Sequence, residues 1–263
     1  MYLRSITAIL VTLTAAITTS SVPLSKRIVN GTPVKEGELP VFAELSGCGG
    51  VLIGPQTVLT AAHCTFHPPV HNVYIGGVER NKGKHLQVAK TVMCPEFNRT
   101  SRVGDIAVVF LPEKVDGPYA SYEGTSYPEA GSELTVAGYG ATDADGTTSD
   151  ILLKVQVTIG NKAECEAQID KKSAFDPNSQ VCAIDNGHSA CHGDSGGPLY
   201  SGSDKNVHVA ALVRGAGNQD KCGEKGTFQY YTFIKPFIPW IKSEIAKFEK
   251  NGTISTTEAL ANL

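Results

Sequence analysis

The sequence predicts an all-β fold, a barrel or sandwich of short strands, on three observations. Runs rich in β-branched residues recur at 51–53, 58–62, 73–75, 106–111, 134–137, 152–157 and 207–213. Turn signals separate them: Gly54-Pro55, Asn81-Lys82-Gly83, Asp116-Gly117-Pro118 and Asp145-Gly146. Glycine accounts for 27 of 263 residues, which suits many tight turns better than long helices. Strands spaced in this way belong to sheets that close or stack on themselves.

The first segment of the chain is not expected to join that sheet structure. Arg4 precedes an apolar run over 6–17, and small residues follow at 18–21. This is the pattern of a secretory signal, too short and wrongly flanked to span a bilayer, so 1–20 is read as a signal peptide. A short polar stretch, 21–27, ends in Lys26-Arg27 and reads as an activation propeptide. The main body starts at Ile28-Val29-Asn30-Gly31 and runs to about residue 250. Within it, 28–115 and 133–235 form two halves, joined by a linker over 116–132 that is rich in Gly, Pro, Ser and Tyr. Trp240, Ile241, Ile245 and Phe248 repeat at helical spacing, with Pro236 and Pro239 near the start, so a helix is expected over 237–249. The segment 251–263 reads as a disordered tail.

Composition narrows the function classes. The hydrophobic share of 41% and charged share of 19% are those of an ordinary globular chain. A net charge of −3 gives no electrostatic case for nucleic acid or for an acidic membrane. The seven cysteines of an exported chain read as disulfides before anything else, and the odd count leaves one over. No Cys-x-x-Cys pair suggests a metal site, none is expected, and no cofactor motif is found. Asn30, Asn98 and Asn251 head sequons and are candidate glycan sites.

Three segments carry candidate chemistry: Leu59-Thr60-Ala61-Ala62-His63-Cys64, Gly104-Asp105-Ile106-Ala107-Val108-Val109, and Cys191-His192-Gly193-Asp194-Ser195-Gly196-Gly197-Pro198-Leu199. Taken singly, each has a structural explanation: a histidine beside an apolar strand, an aspartate in a turn, a glycine-rich loop. Their order and flanks together point to nucleophilic catalysis. A serine hydroxyl is a poor nucleophile at neutral pH. An imidazole, whose ordinary pKa is ~6.5, can take its proton and return it to a leaving amine. A carboxylate can hold the imidazole tautomer and stabilise the imidazolium.

On these segments, and from Ile28 to Lys247, the chain resembles the chymotrypsin/trypsin family of secreted serine proteases. The resemblance implies two six-stranded antiparallel β-barrels with the cleft between them and a C-terminal helix. It implies catalysis by His63, Asp105 and Ser195, with the backbone N–H groups of Gly193 and Ser195 as the oxyanion hole. Cleavage after Arg27 would free the amine of Ile28 to fold inward and pair with Asp194. Activity would then fall at acid pH as His63 protonates and at alkaline pH as Ile28 loses its charge. The implied disulfides are Cys48–Cys64, Cys165–Cys182 and Cys191–Cys222, with Cys94 left free and buried.

The chain departs from the family at the pocket for the side chain before the cleaved bond. Ser189 stands at the floor, where trypsin-like members have aspartate, so cleavage after Arg or Lys is not expected and another protease would have to cut at Arg27. Val213 replaces a serine that normally donates a hydrogen bond to the catalytic aspartate. Arg214 replaces a tryptophan, and Gly215 follows it. The ungapped alignment puts Gln229 where a glycine keeps the pocket open, and a second alignment puts Gly226 there. Glu79 has no acidic companion to make a calcium loop.

The expected function is a secreted, monomeric serine endopeptidase made as a zymogen. Its partners would be protein or peptide substrates, an activating protease and protein protease inhibitors, with no nucleic acid and no membrane. The alternative is a feeble or inactive homologue that binds or inhibits another protein. An α/β-hydrolase esterase also offers Gly-x-Ser-x-Gly, but there the aspartate and histidine follow the serine.

Overall fold

The computed structural model describes residues 28, 30–66, 68–124, 126–142, 146–169, 175–216 and 222–261. The expected signal peptide, the propeptide and Arg27 lie outside the described residues. Among the described residues, fourteen strands form two sheets. The first contains β2 (Phe42–Leu45), β3 (Cys48–Gly54), β4 (Thr57–Thr60), β5 (Asn72–Gly76), β6 (Gly83–Gln87), β7 (Lys90–Met93) and β8 (Ala107–Phe110). The second contains β1 (Thr32–Pro33), β9 (Glu133–Gly138), β10 (Leu153–Ile159), β11 (Gln180–Ile184), β12 (Pro198–Ser201), β13 (His208–Ala216) and β14 (Phe228–Phe233).

The second sheet runs β1-β10-β11-β14-β13-β12-β9, and β9 also pairs with β10 from Leu153↔Gly138 to Thr158↔Glu133. That pairing closes a six-stranded barrel, with β1 attached outside it through Thr32↔Lys154 and Pro33↔Leu153. The first sheet runs β6-β5-β2-β3-β4-β8-β7 and stays open between β6 and β7, so it is a half-barrel rather than a second closed one. The two edges explain the difference. In β6 only Leu86 is buried, and β7 has no fully buried residue, so neither strand presents an apolar row that closure would cover. The strand runs read from sequence coincide with β3, β4, β5, β8, β9, β10 and β13.

One apolar core extends from the first sheet, with Val41, Phe42, Leu59 and Phe110, into the contact between sheets at Tyr139 and Leu212. A second core, with Val136, Val157, Leu199 and Tyr231, fills the closed barrel. Two helices lie outside the sheets. Helix α1 (Lys162–Gln168), not anticipated from the sequence, is capped by Asn161 Oδ1, which accepts from Glu164 N at 2.9 Å. Helix α2 (Ile238–Ala261) packs Trp240, Ile241, Ile245 and Phe248 on the first core, and the Phe248 ring stacks on Phe110 with centroids 4.2 Å apart. It continues beyond 249 through most of the stretch read as a disordered tail. That stretch includes Glu258, Ala259, Leu260 and Ala261, all good helix formers.

The disulfides join Cys48 to Cys64, Cys165 to Cys182 and Cys191 to Cys222, while Cys94 is free and buried. Burial raises the Cys94 thiol pKa, which leaves it a poor nucleophile. The Cys48–Cys64 bridge ties β3 to the turn that carries His63. A loop of that size is worth about 3 kcal/mol in the chain-entropy account.

Candidate active site

The site is built where both sheets meet. After β4 the chain turns through a single 3-10 segment, Ala62–Thr65, in which Thr65 Oγ1 donates to Ala62 O at 2.8 Å. His63 sits in this turn. Asp105 precedes β8 and is fully buried. Gly104 before it has φ +67°, and a Cβ there would lie 2.9 Å from the Glu96 carbonyl carbon, so glycine is required for the approach. The Asp105 carboxylate holds His63 at two points. Oδ1 accepts from the His63 backbone N at 2.8 Å, and Oδ2 pairs with ring Nδ1 at 2.7 Å. Thr232 Oγ1 of β14 donates to the Asp105 carbonyl at 3.0 Å, fixing the backbone from the other sheet.

Ser195 lies in the loop before β12. Gly49 N on β3 donates to Ser195 O at 2.8 Å, and Gly196 N donates to Val213 O at 2.8 Å. A Cβ on Gly196 would collide with Thr60 Oγ1, which itself donates to Gly49 O at 2.7 Å. The serine loop therefore presses directly on the strands flanking the His63 turn. The His63 ring and Ser195 are both part-exposed. Among the described residues no hydrogen bond joins His63 Nε2 to Ser195 Oγ.

Gly193 has φ +93°, and a Cβ there would lie 3.1 Å from Gly140 Cα. The Asp194 and Gly197 N–H groups donate within the loop, and that of Gly196 donates to Val213 O on β13. No described residue accepts from the Gly193 or Ser195 N–H, so both remain able to receive an oxyanion. Residues 28–241 match the family model described as Trypsin. The chain belongs to the trypsin family of serine proteases. It is 30% identical over 237 residues to mouse serine protease 56, covering 84% of this chain and 39% of that protein. It is 30% identical over 240 residues to mouse transmembrane protease serine 11E, covering 85% and 56%. It is 28% identical over 249 residues to mouse mannan-binding lectin serine protease 1, covering 82% and 35%. The chain thus spans little more than half of these trypsin-family relatives at most.

Asp194 in this trypsin-family chain is fully buried, and its carboxylate accepts from Gly140 N and Cys191 N, each at 2.8 Å. A Cβ on Gly138 or Gly140 would overlap that carboxylate. Burial drives the Asp194 pKa up from 3.8 to about 7, against the two N–H donors and the charge of Arg80. Ile28 is also buried, and nearby Asn30 Nδ2 donates to Gly187 O at 2.6 Å.

Around the candidate specificity pocket, Ser189 is buried and its Oγ accepts from Gly223 N at 2.9 Å. Asp185 Oδ2 accepts from the same Gly223 N at 2.7 Å, so a buried carboxylate lies close behind Ser189. Gln229 on β14 pairs with Ala183 and Ala216 and is only 2% exposed, and its Nε2 has no partner among the described residues. Gly226 is exposed, with open space where a Cβ would be. Val213 and Gly215 lie on β13 against Tyr231 and Tyr230. Arg214 between them is 5% exposed and lies over the Tyr230 ring at 5.6 Å.

Arg80, Arg102, Gly140, Thr232 and Asp185 take part in this constellation and were not singled out from the sequence. No motif marks them, because Arg80, Gly140, Thr232 and Asp185 act through contacts between segments far apart in the chain, and Arg102, three residues before Asp105, is held in place by the distant Gln180 and Arg214. The sulfurs of Cys48 and Cys64 lie near the His63 ring but are bonded to each other, so that group does not offer thiolate ligands. No helix among the described residues is long and apolar enough to cross a membrane.

Proposed function

We propose that this chain is an exported serine endopeptidase, made as a zymogen and activated by cleavage after Arg27. The observation that carries the reading is the double hydrogen bond from His63 to buried Asp105, on a turn that abuts the Ser195 loop. In this reading Ser195 Oγ attacks the substrate carbonyl while His63 Nε2 takes its proton. The oxygen gains negative charge and is received by the N–H groups of Gly193 and Ser195. His63 then gives the proton to the leaving amine, and water repeats the sequence to release the acid and free the serine. Losing one such donor typically costs roughly 3–4 kcal/mol of barrier.

Activation follows from Asp194. The freed Ile28 ammonium would pair with a carboxylate that burial otherwise holds near neutrality. Ser189 and Gln229 line a polar, narrowed pocket in this reading, and another protease makes the cut at Arg27. The signal, the sequons at Asn30, Asn98 and Asn251, and the bridges fit an extracellular monomer acting on proteins or peptides and controlled by protein inhibitors.

A second reading, a non-catalytic binding homologue, draws on the buried Gln229 in the pocket wall. A peptide-library profile of protein processed to begin at Ile28, with Ser195→Ala alongside, separates the two. Serine-dependent cleavage supports the endopeptidase. No cleavage from a verified Ile28 terminus supports the binding homologue.

A further inference from the structure

Asp105 has a charged neighbour besides His63. Its Oδ2, the oxygen that pairs with His63 Nδ1, lies 3.5 Å from Arg102 Nη1. That nitrogen is buried and has no hydrogen-bond partner among the described residues, so the carboxylate is the group it faces.

The position of Arg102 is enforced. Its φ of +58° is left-handed, a conformation that a side chain with a Cβ keeps only where the surroundings hold it. Arg102 N donates to Asn98 O at 2.8 Å. Arg102 O accepts from two buried side chains, Arg214 Nε at 3.3 Å and Gln180 Nε2 at 3.2 Å. Arg214 Nη2 also donates to Ser101 O at 2.7 Å. Burial lowers the Arg214 pKa only to about 10, so it stays charged at neutral pH. Arg214 thus braces the turn that brings the Arg102 guanidinium to Asp105.

We propose that Arg102 is a positioning residue of the site, its guanidinium holding the Asp105 carboxylate and offsetting part of its charge. The proposal rests on the endopeptidase reading. The charged and titratable groups facing Asp105 are His63 from the 3-10 turn, Arg102 from its own loop and Arg214 from β13, with Tyr230 of β14 beneath Arg214. Removing the Arg102 charge leaves a stronger anion beside the imidazolium, so protonated His63 is favoured. Mere disorder of Asp105 would have the opposite sign, because it loosens the pair that stabilises the imidazolium.

The test compares Arg102→Met and Arg102→Lys in protein processed to begin at Ile28. In Arg102→Met the acid limb of kcat/KM is expected to move up by about half a pH unit or more, with kcat reduced about tenfold. KM should change little, and Arg102→Lys should restore the limb. An unmoved or lowered limb, or a lysine variant that behaves like methionine, would overturn the proposal. The same pH shift is read by NMR titration of the His63 ring in the Ser195→Ala background. If the processed wild type hydrolyses nothing, the endopeptidase reading fails, and the ring titration still decides whether Arg102 acts on the Asp105–His63 pair.

Discussion

Asp105 holds His63 by both its backbone and its ring, at 2.8 Å and 2.7 Å, so one buried carboxylate fixes the turn and the tautomer together. Asp105→Asn keeps the shape but offers only one acceptor oxygen where two are used. If the amide oxygen serves the His63 backbone, its NH2 faces Nδ1 and favours the wrong tautomer. The expected result is a fall in kcat of about 10⁴-fold, as tautomer loss gives in this chemistry. Steady-state kinetics on the processed protein would show it, and a loss under tenfold would remove Asp105 from the proposed role.

Asp194 links pH to stability. Its native pKa of about 7 lies above the ordinary 3.8, because burial disfavours the anion. Between those values the native state binds more protons than the unfolded state, so stability falls as pH rises through that window. The penalty is absent below pH 3.8 and complete above about pH 7, where it is on the order of 4 kcal/mol. Protein still joined at Arg27 should therefore lose melting temperature between pH 5 and 8 faster than its Asp194→Asn variant. Cleavage supplies the Ile28 ammonium and should remove that slope. Calorimetry at pH 5, 6.5 and 8 on both forms checks this, and equal slopes for uncleaved wild type and variant would contradict it.

Much of this was legible in the sequence, for a definable reason. Strands β3, β4 and β8 carry continuous β-branched runs because they are buried on both faces, and those runs bracket His63 and Asp105. The Ser195 loop announces itself because Gly193 and Gly196 must adopt positive φ or admit a close neighbour. Edge strands β6 and β7 gave no such signal, since their residues face water. Arg102 was invisible because its role depends on Arg214 and Gln180, more than 70 residues further along the chain. The open first sheet was likewise unreadable, as closure depends on which edges meet.

Arg80 joins the two sheets beside Gly140. Its Nη2 donates to Tyr139 O at 2.7 Å and to Ser149 O at 2.8 Å, and its Nη1 lies 3.6 Å from Glu44. Glu44 is nearly buried, and burial raises its pKa, with Arg80 and the Asn81 N–H opposing. Arg80→Met would leave Ser149 O without its donor and take the cation away from the nearly buried Glu44, which keeps only the Asn81 N–H. The expected destabilisation is about 2–3 kcal/mol. It should appear as a lower urea midpoint at unchanged slope, and a change within 0.5 kcal/mol (roughly the surface-substitution range) would show the clamp to be idle.

In the proposed reading, Gln229 sets what the pocket admits. It is buried in the β14 wall with its amide nitrogen unpartnered, while Gly226 lies exposed. In the reading proposed above, Gln229→Gly removes that side chain and widens the pocket. Cleavage after Phe, Tyr or Leu should then rise by roughly tenfold or more in kcat/KM, since each methylene of pocket space carries about 1–3 kcal/mol of discrimination. Gly226→Ala should leave the profile as it is, apart from the strain of a Cβ at φ +84°. The peptide-library assay that tests wild type reads both variants. A profile indifferent to Gln229→Gly and altered by Gly226→Ala would transfer the wall to Gly226, and with it the expectation of a wide slot for large apolar side chains.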